Sequence, residues 1–121
     1  GIDCPENKYN RKMVEDEKKL HTPAQFLLGL GQQAHKFVLS VAPVGTSITI
    51  QIEKGNEFDH YKRHLAYVIL PDGSCLNEII VANGYARATG EYYCTELPKY
   101  QALQLTAMQN KQGLFKYISR L

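Results

Sequence analysis

Two carboxylates flank a Cys-Pro pair in the stretch GIDCPE, residues 1–6. Pro5 favours an extended backbone at Cys4, the residue before it. An extended backbone there would let the Asp3 carboxylate, the Cys4 carbonyl and Glu6 approach one point, as a hard, oxygen-binding cation would need. The stretch therefore suggests a metal-dependent site, and a pair of exposed loop carboxylates is the simpler alternative.

The composition predicts one globular domain with a modest core. The chain has 121 residues, of which 44% are hydrophobic and 21% charged, as in ordinary globular proteins. No apolar run approaches the ~18 residues that a membrane span requires, so we expect no membrane partner. A net charge of +2 neither demands nor excludes a nucleic-acid partner.

The cysteines and histidines give weaker signals. Cys4, Cys75 and Cys94 show no CxxC spacing, which argues against a zinc site. A disulfide between Cys75 and Cys94 is one alternative, but the odd count leaves the redox compartment open. His60 and His64 lie four residues apart without the glutamate of a zinc-protease helix, so we expect them to be surface residues.

The first predicted helix begins at the Thr22-Pro23 pair, where a hydroxyl cap precedes a proline suited to the first turn. Gly29 and Gly31 each weaken a helix by roughly 1 kcal/mol relative to alanine, so a start near Gln32 is the alternative. Residues 7–20 ahead of it are highly charged and are predicted to form a solvent-facing loop.

Two strands are predicted in the middle of the chain. Residues 46–53 alternate isoleucines with polar residues, which is typical of a half-buried strand. Residues 64–70 are apolar on both faces, as in a central strand. Residues 71–74, PDGS, form a turn in which Gly73 can adopt a positive φ.

Two more helices follow. Asn77 is expected to cap a short helix that ends at Gly84. Thr95 is expected to cap a last helix that ends at Gly113. Apolar residues at helical spacing predict the buried stripe of the last helix. These elements include too few strands to close a sheet, so the predicted core is incomplete.

Four stretches, taken in order, resemble the staphylococcal nuclease (thermonuclease-like) family. They are GIDCPE, LGQQAHKF (30–37), DHYKRHLAYV (59–68) and DGSCLNEIIVANGYARA (72–88), and GLF (113–115) is similar to the family's closing motif. The resemblance implies an α+β fold, in which a five-stranded OB-type β-barrel carries three helices. Residues 1–121 would then be a single domain, incomplete at its N-terminus because the first three strands lie outside it.

The resemblance also implies a function, namely a calcium-dependent endonuclease that hydrolyses phosphodiester bonds of DNA and RNA. This chemistry needs a cation, a group that orients or deprotonates water, and a cationic clamp on the phosphate. By resemblance, Asp3 and the Cys4 backbone carbonyl are calcium ligands and Glu6 orients or deprotonates the attacking water. Arg63 clamps the phosphate, which suits its planar guanidinium better than a lysine.

Three tyrosines are candidates for nucleotide contact, namely Tyr61, Tyr92 and Tyr93. Packing in the core or at its rim is the alternative for each. Arg63 also has a simpler alternative, because it could pair with Asp59 or Glu53 on a strand surface.

The sequence departs from the family pattern at two points. Lys62 replaces the usual glycine before Arg63, so a backbone with positive φ there would be strained. The resemblance also places a second calcium-binding aspartate and a second arginine ahead of Gly1. A nuclease-like module that binds nucleic acid or protein without catalysis is therefore the alternative function.

The incomplete barrel predicts a partner for its open edges. Either a further N-terminal segment completes the barrel, or a second copy does so by strand exchange. The resemblance favours a secreted or periplasmic location, where calcium is plentiful.

Overall fold

The computed structural model describes residues 1–6, 24–90 and 94–121, which form an α+β domain as predicted. The predicted loop at residues 7–20 and the Thr22-Pro23 cap lie outside these ranges. In chain order the described elements are β1 (Ile2–Asp3), α1 (Ala24–Val41), β2 (Thr49–Gln51), β3 (Tyr67–Ile69), α2 (Leu76–Ala82), β4 (Arg87–Ala88), α3 (Leu97–Gln109) and a 3₁₀ turn (Gly113–Lys116).

The described strands form two separate antiparallel pairs rather than a closed barrel. β1 pairs with β4, so that Ile2 faces Ala88 and Asp3 faces Arg87. β2 pairs with β3, with Ile50 opposite Val68 at the centre of the register. The five-stranded barrel that the resemblance implies is thus not seen within the described residues.

The isoleucine face of β2 is largely open. The strand is shorter than the predicted 46–53, and Ile48, Ile50 and Ile52 remain 47%, 51% and 49% exposed. An exposed apolar side-chain face of this kind is suited to packing against further apolar residues.

β3 has β2 on one side and the side chain of Asn77 on the other. The backbone N–H of Val68 donates to Asn77 Oδ1 at 2.9 Å, and Asn77 Nδ2 donates to the Ala66 carbonyl at 3.1 Å. The amide side chain thereby replaces a peptide group of a neighbouring strand. The predicted capping role of Asn77 is wrong, because α2 already begins at Leu76 with Cys75 as its N-cap.

α1 runs without a break through both of its glycines, so a start near Gln32 is wrong. Burial overrides the low helix propensity of glycine here, since Leu30 and Ala34 are each only 2% exposed. Phe37 stacks on Tyr85 with a ring separation of 4.3 Å, which fixes the helix against the segment that follows α2.

α3 begins at Leu97, and its N-cap is Glu96, without a side-chain capping bond. The predicted Thr95 cap is therefore wrong, and the Thr95 N–H donates instead to the carboxylate of Glu53. The predicted buried stripe is confirmed, because Leu97, Tyr100 and Ala107 are buried.

α2 and α3 pack on the two strand pairs around one main core. Its buried members are Leu70, Leu76, Ile80, Val81, Ala86 and Tyr100. A second buried group joins α1 to the 3₁₀ turn through Leu27, Leu30 and Leu114. None of the helices in the described ranges is long and apolar enough to span a membrane.

Candidate functional site

Asp3 lies in β1, directly opposite Arg87 of β4. Arg87 Nη2 is 3.2 Å from Asp3 Oδ2, and the two side chains are 32% and 21% exposed. The strand pairing continues beyond them, because the Thr89 N–H donates to the Gly1 carbonyl at 2.8 Å. The carboxylate predicted to bind a metal thus has an arginine as a cross-strand partner.

Cys4 and Glu6 follow β1 and are both half-buried. The side chain of Cys4 packs against the main core. A hard cation also prefers oxygen to sulfur. Any contribution of Cys4 to a calcium site would therefore come from its backbone carbonyl, as the resemblance implies.

Arg63 is held by Asp59, four residues before it. The Asp59 carboxylate accepts the backbone N–H groups of Tyr61 at 2.8 Å and of Arg63 at 2.9 Å. It also accepts Arg63 Nε at 2.6 Å. The Asp59 side chain is 2% exposed, whereas that of Arg63 is 63% exposed. The buried Asp59 carboxylate therefore holds both the loop backbone and the Nε atom of the exposed Arg63 guanidinium.

The charge of Asp59 is stabilised in this arrangement. Burial of the carboxylate raises the pKa of Asp59, but the hydrogen bonds from the backbone and guanidinium of Arg63 and from the Tyr61 backbone outweigh it. The pKa therefore lies below its ordinary value, and Asp59 is ionised at neutral pH.

The loop around Arg63 exposes aromatic and cationic groups. Tyr61 is 68% exposed, and the Arg63 guanidinium lies 5.3 Å from the centre of its ring. The ring of His64 packs on Phe58, with a separation of 4.7 Å between centroids. Lys62 has a φ of +64°, so the backbone strain that a positive φ would impose on a non-glycine residue is present, at a cost of about 1–2 kcal/mol.

A cavity of about 160 Å³ lies beside residues that are adjacent in the chain to Asp3 and Arg63. Its wall includes Gly1 and Ile2, which directly precede Asp3, and His64 and Leu65, which directly follow Arg63. Asp3 and Arg63 themselves have different ionic partners, Arg87 and Asp59. The structure thus brings their neighbours to a common cavity while each side chain is held by its own counter-ion.

Glu53 lines the same cavity and joins three parts of the chain. Its Oε1 atom accepts the hydroxyl of Tyr67 at 2.8 Å and the backbone N–H of Thr95 at 2.9 Å, and its Oε2 accepts the Asn56 amide. The hydrogen bond from the Thr95 backbone is the largest cause that lowers the pKa of Glu53, from 4.5 to about 2. Burial, together with the bond to Glu53, raises the pKa of Tyr67 above its ordinary value.

The depressed pKa of Glu53 predicts an acid-sensitive fold. The ionised form is stabilised in the folded state, so this contribution is complete above about pH 4.5 and is lost as the pH falls towards about 2. We expect the free energy of unfolding, measured with urea at a series of pH values, to fall across this window. Glu53→Gln should lower the free energy of unfolding at neutral pH, and that free energy should then decrease less steeply as the pH falls.

The pH dependence of stability that remains in this variant should come from Asp59 and Asp72. The pKa of Asp72 is also lowered, by hydrogen bonds from the side chain and backbone of Ser74. Glu96→Gln provides a control, since it removes the same charge from an exposed side chain. A Glu53→Gln profile that parallels the wild-type profile would contradict the assignment.

The described residues fit calcium in the type of their donors but not in number. Asp3, Glu6 and the Cys4 carbonyl offer hard oxygen atoms, while calcium takes six to eight oxygen ligands. Within the described ranges no three or more His, Cys, Asp and Glu side chains form a group that could hold a metal ion. Further ligands would therefore have to come from water, substrate or other residues.

The remaining predicted groups are the cysteines, two histidines and two tyrosines. Cys75 and Cys94 are not bonded to each other, so the disulfide between them is absent from this structure. His60 and His64 are exposed, as expected. Tyr92 and Tyr93 lie outside the described residues.

Sequence reasoning did not assign a role to Arg87. No local pattern pointed to it, because its position opposite Asp3 depends on a strand pair separated by more than eighty residues. Asp59 was named only as a surface partner of Arg63. The Asp-x-Tyr-x-Arg spacing was the available signal, since an aspartate commonly accepts backbone N–H groups within a tight loop.

Comparison with protein families identifies the family of the domain as a whole. The family model for staphylococcal nuclease homologues matches residues 1–117. The match includes both strand pairs, all three described helices and the loop of Asp59 and Arg63. The chain is therefore a member of the staphylococcal nuclease homologue family.

Proposed function

We propose that this chain is a calcium-dependent endonuclease that hydrolyses phosphodiester bonds of DNA and RNA. Membership of a nuclease-type family supports the reaction class. The observation that carries the proposal is the Asp59–Arg63 arrangement, in which a buried carboxylate supports an arginine that is 63% exposed. The pairing with Asp59 leaves the guanidinium both oriented and accessible, as a clamp on a phosphate requires.

Arg63 is the phosphate clamp in this proposal. Attack of water on a phosphodiester passes through a five-coordinate phosphorus that carries extra negative charge. Donors that are already aimed at that charge stabilise it with little reorganisation. Asp59 limits the motion of the guanidinium by holding its Nε atom, so the arginine is oriented before substrate arrives.

Tyr61 is the nucleotide contact in the proposal. Its ring is 68% exposed and lies beside the Arg63 guanidinium. An exposed aromatic ring can stack on a base of any identity, which agrees with a substrate range covering both DNA and RNA.

Glu6 orients or deprotonates the attacking water, and Asp3 with the Cys4 carbonyl would hold calcium. When bound, the ion supplies positive charge that stabilises the developing phosphate charge. A carboxylate is suited to the role of Glu6 because it accepts hydrogen bonds from water and can remove its proton.

The open isoleucine face of β2 also has a place in the proposal. We assign it to the interior of the family's five-stranded barrel, closed by strands beyond the two described pairs. This agrees with the half-exposure of Ile48, Ile50 and Ile52, which a closed barrel would bury.

One observation favours a second candidate, a family module that binds nucleic acid or protein without catalysis. Asp3 is paired with Arg87, and the described residues contain no complete group of metal-binding side chains. Such a module would keep the exposed Tyr61 and Arg63 as a binding surface.

The test is degradation of plasmid and single-stranded DNA, and of RNA, by the purified protein with calcium and then with EDTA. We expect cutting that requires calcium and falls about a hundredfold in Glu6→Gln, since general base catalysis contributes 10²–10⁴-fold. Glu57→Gln is the control, because it makes the same change at a carboxylate to which the proposal gives no role, and it should cut normally.

The control also excludes a contaminating nuclease, which would cut equally in both variants. Retention of DNA in a mobility-shift assay without any cutting would reject the enzyme and support the binding module.

A further inference from the structure

The strand register makes Arg87 a fixed neighbour of Asp3. The two residues face each other in the antiparallel β1–β4 pair, where directly opposed side chains lie within about 4.5–5.5 Å at their Cβ atoms. Their ionic contact of 3.2 Å is only partly exposed to solvent, so salt screens it less than it would a surface pair.

The backbone around Arg87 cannot easily move away. Ala86 is fully buried and Thr89 is 6% exposed. The Ala88 N–H donates to Gln104 of α3 at 2.7 Å, and the Thr89 N–H donates to the Gly1 carbonyl at 2.8 Å. Both ends of β4 are thus anchored, and the Arg87 charge stays close to whatever Asp3 binds.

We propose that Arg87 is a built-in competing cation that sets the calcium affinity of Asp3. The inference rests on the proposed function, because it takes Asp3 to be a calcium ligand. A cation that binds to Asp3 must first weaken the ion pair with Arg87, and the guanidinium then repels it. This tethered charge keeps the affinity low, so that the site fills only where calcium is abundant.

The expected size of the effect follows from Coulomb's law. A unit charge about 5 Å from a divalent ion lowers its affinity by roughly tenfold, even at the dielectric constant of water. Arg87 could also help calcium by holding Asp3 in position. That benefit is smaller, about fivefold at most, because partly exposed ion pairs of this type contribute little. Repulsion should therefore dominate.

The experiment is calorimetric titration of the full chain with calcium chloride alone, without nucleic acid. We expect Arg87→Gln to bind calcium about tenfold more tightly than wild type, and Arg87→Lys, which keeps the charge, to resemble wild type. Lys99→Gln is the matched control, since it removes one positive charge from the exposed pair of Lys99 with Glu78 and should change affinity little.

Salt dependence supplies a second readout that a merely structural role would not affect. The difference between Arg87→Gln and wild type should shrink when the salt concentration rises from about 20 mM to about 300 mM, because the Debye length becomes shorter. Circular dichroism would verify that each variant is folded.

If wild type binds calcium, unchanged or weaker binding by folded Arg87→Gln would overturn this inference but leave the proposed nuclease function untouched. The same tightening in Arg87→Lys would also overturn it, since charge would then not be the cause. Absence of calcium binding in every variant would overturn both the inference and the calcium dependence of the proposed nuclease. Tighter binding by Arg87→Gln without DNA cleavage would support the inference and reject the nuclease.

Discussion

Replacing Arg63 with glutamine is expected to lower the rate of phosphodiester cleavage by about a thousandfold, the upper end of what one preorganised donor contributes to a transition state. Arg63 is the exposed cation that Asp59 orients. Glutamine removes the charge and the planar fork together, so the extra negative charge at phosphorus would lose its proposed clamp. The loss should appear mainly in kcat, because the charge develops in the transition state.

The comparison with two further variants separates orientation from general charge. Arg63→Lys keeps the charge without the bidentate geometry, so it should recover only part of the lost rate. Lys62→Gln removes one positive charge from the same exposed loop and should change kcat by less than about tenfold, through weaker attraction of the substrate. Arg63→Gln with more than about a tenth of the wild-type kcat would show that Arg63 is not the clamp.

Gly84→Ala is expected to destabilise the fold by about 4 kcal/mol or more, since both strain and a collision with backbone contribute. Gly84 has a φ of +83°, and a Cβ atom built on it would lie 2.2 Å from the carbonyl oxygen of Gln112. That oxygen belongs to the segment leading into the 3₁₀ turn, where the Leu114 N–H donates to the Gly84 carbonyl at 3.0 Å. Leu114 is fully buried, so the two segments cannot separate without opening the core.

Gly73→Ala is the matched control for this prediction. Gly73 also has a positive φ, of +87°, but nothing lies within 4 Å of a Cβ atom there. Alanine at this position should therefore cost only the conformational penalty of about 1–2 kcal/mol. Urea unfolding of both variants would measure the difference. Equal losses of stability would show that the backbone contact between Gly84 and Gln112 leaves room for a Cβ atom.

The two positions also show how far local sequence signals reach. The turn at residues 71–74 and the end of α2 at Gly84 were both predicted, because glycine alone adopts a positive φ without penalty. The sequence contained no sign that Gly84 touches the Gln112 backbone, since that contact joins segments almost thirty residues apart. A conformational requirement is local, whereas a close approach depends on the packing of other elements.

The same distinction applies to the helix starts. Asn77 and Thr95 were predicted as caps, a role to which both residue types are suited. In the structure, Asn77 completes the edge of β3 through Val68 and Ala66, and the Thr95 N–H is bound by Glu53. The Asn77 side chain satisfies backbone groups beside another strand, where an unpaired polar group would cost more than a missing cap. At Thr95 the contact with Glu53 uses the backbone N–H, and the helix begins two residues later.

The sequence by itself determined the α+β class, the spacing of the helical stripes and the family, because each depends on residues close together in the chain or on an ordered set of motifs. Only the tertiary structure decided that Asp3 faces Arg87 and that Glu53 joins β3 to the start of α3. These contacts depend on strand register and on which segments pack together. Burial of the whole core sets both, and no local pattern of residues encodes them.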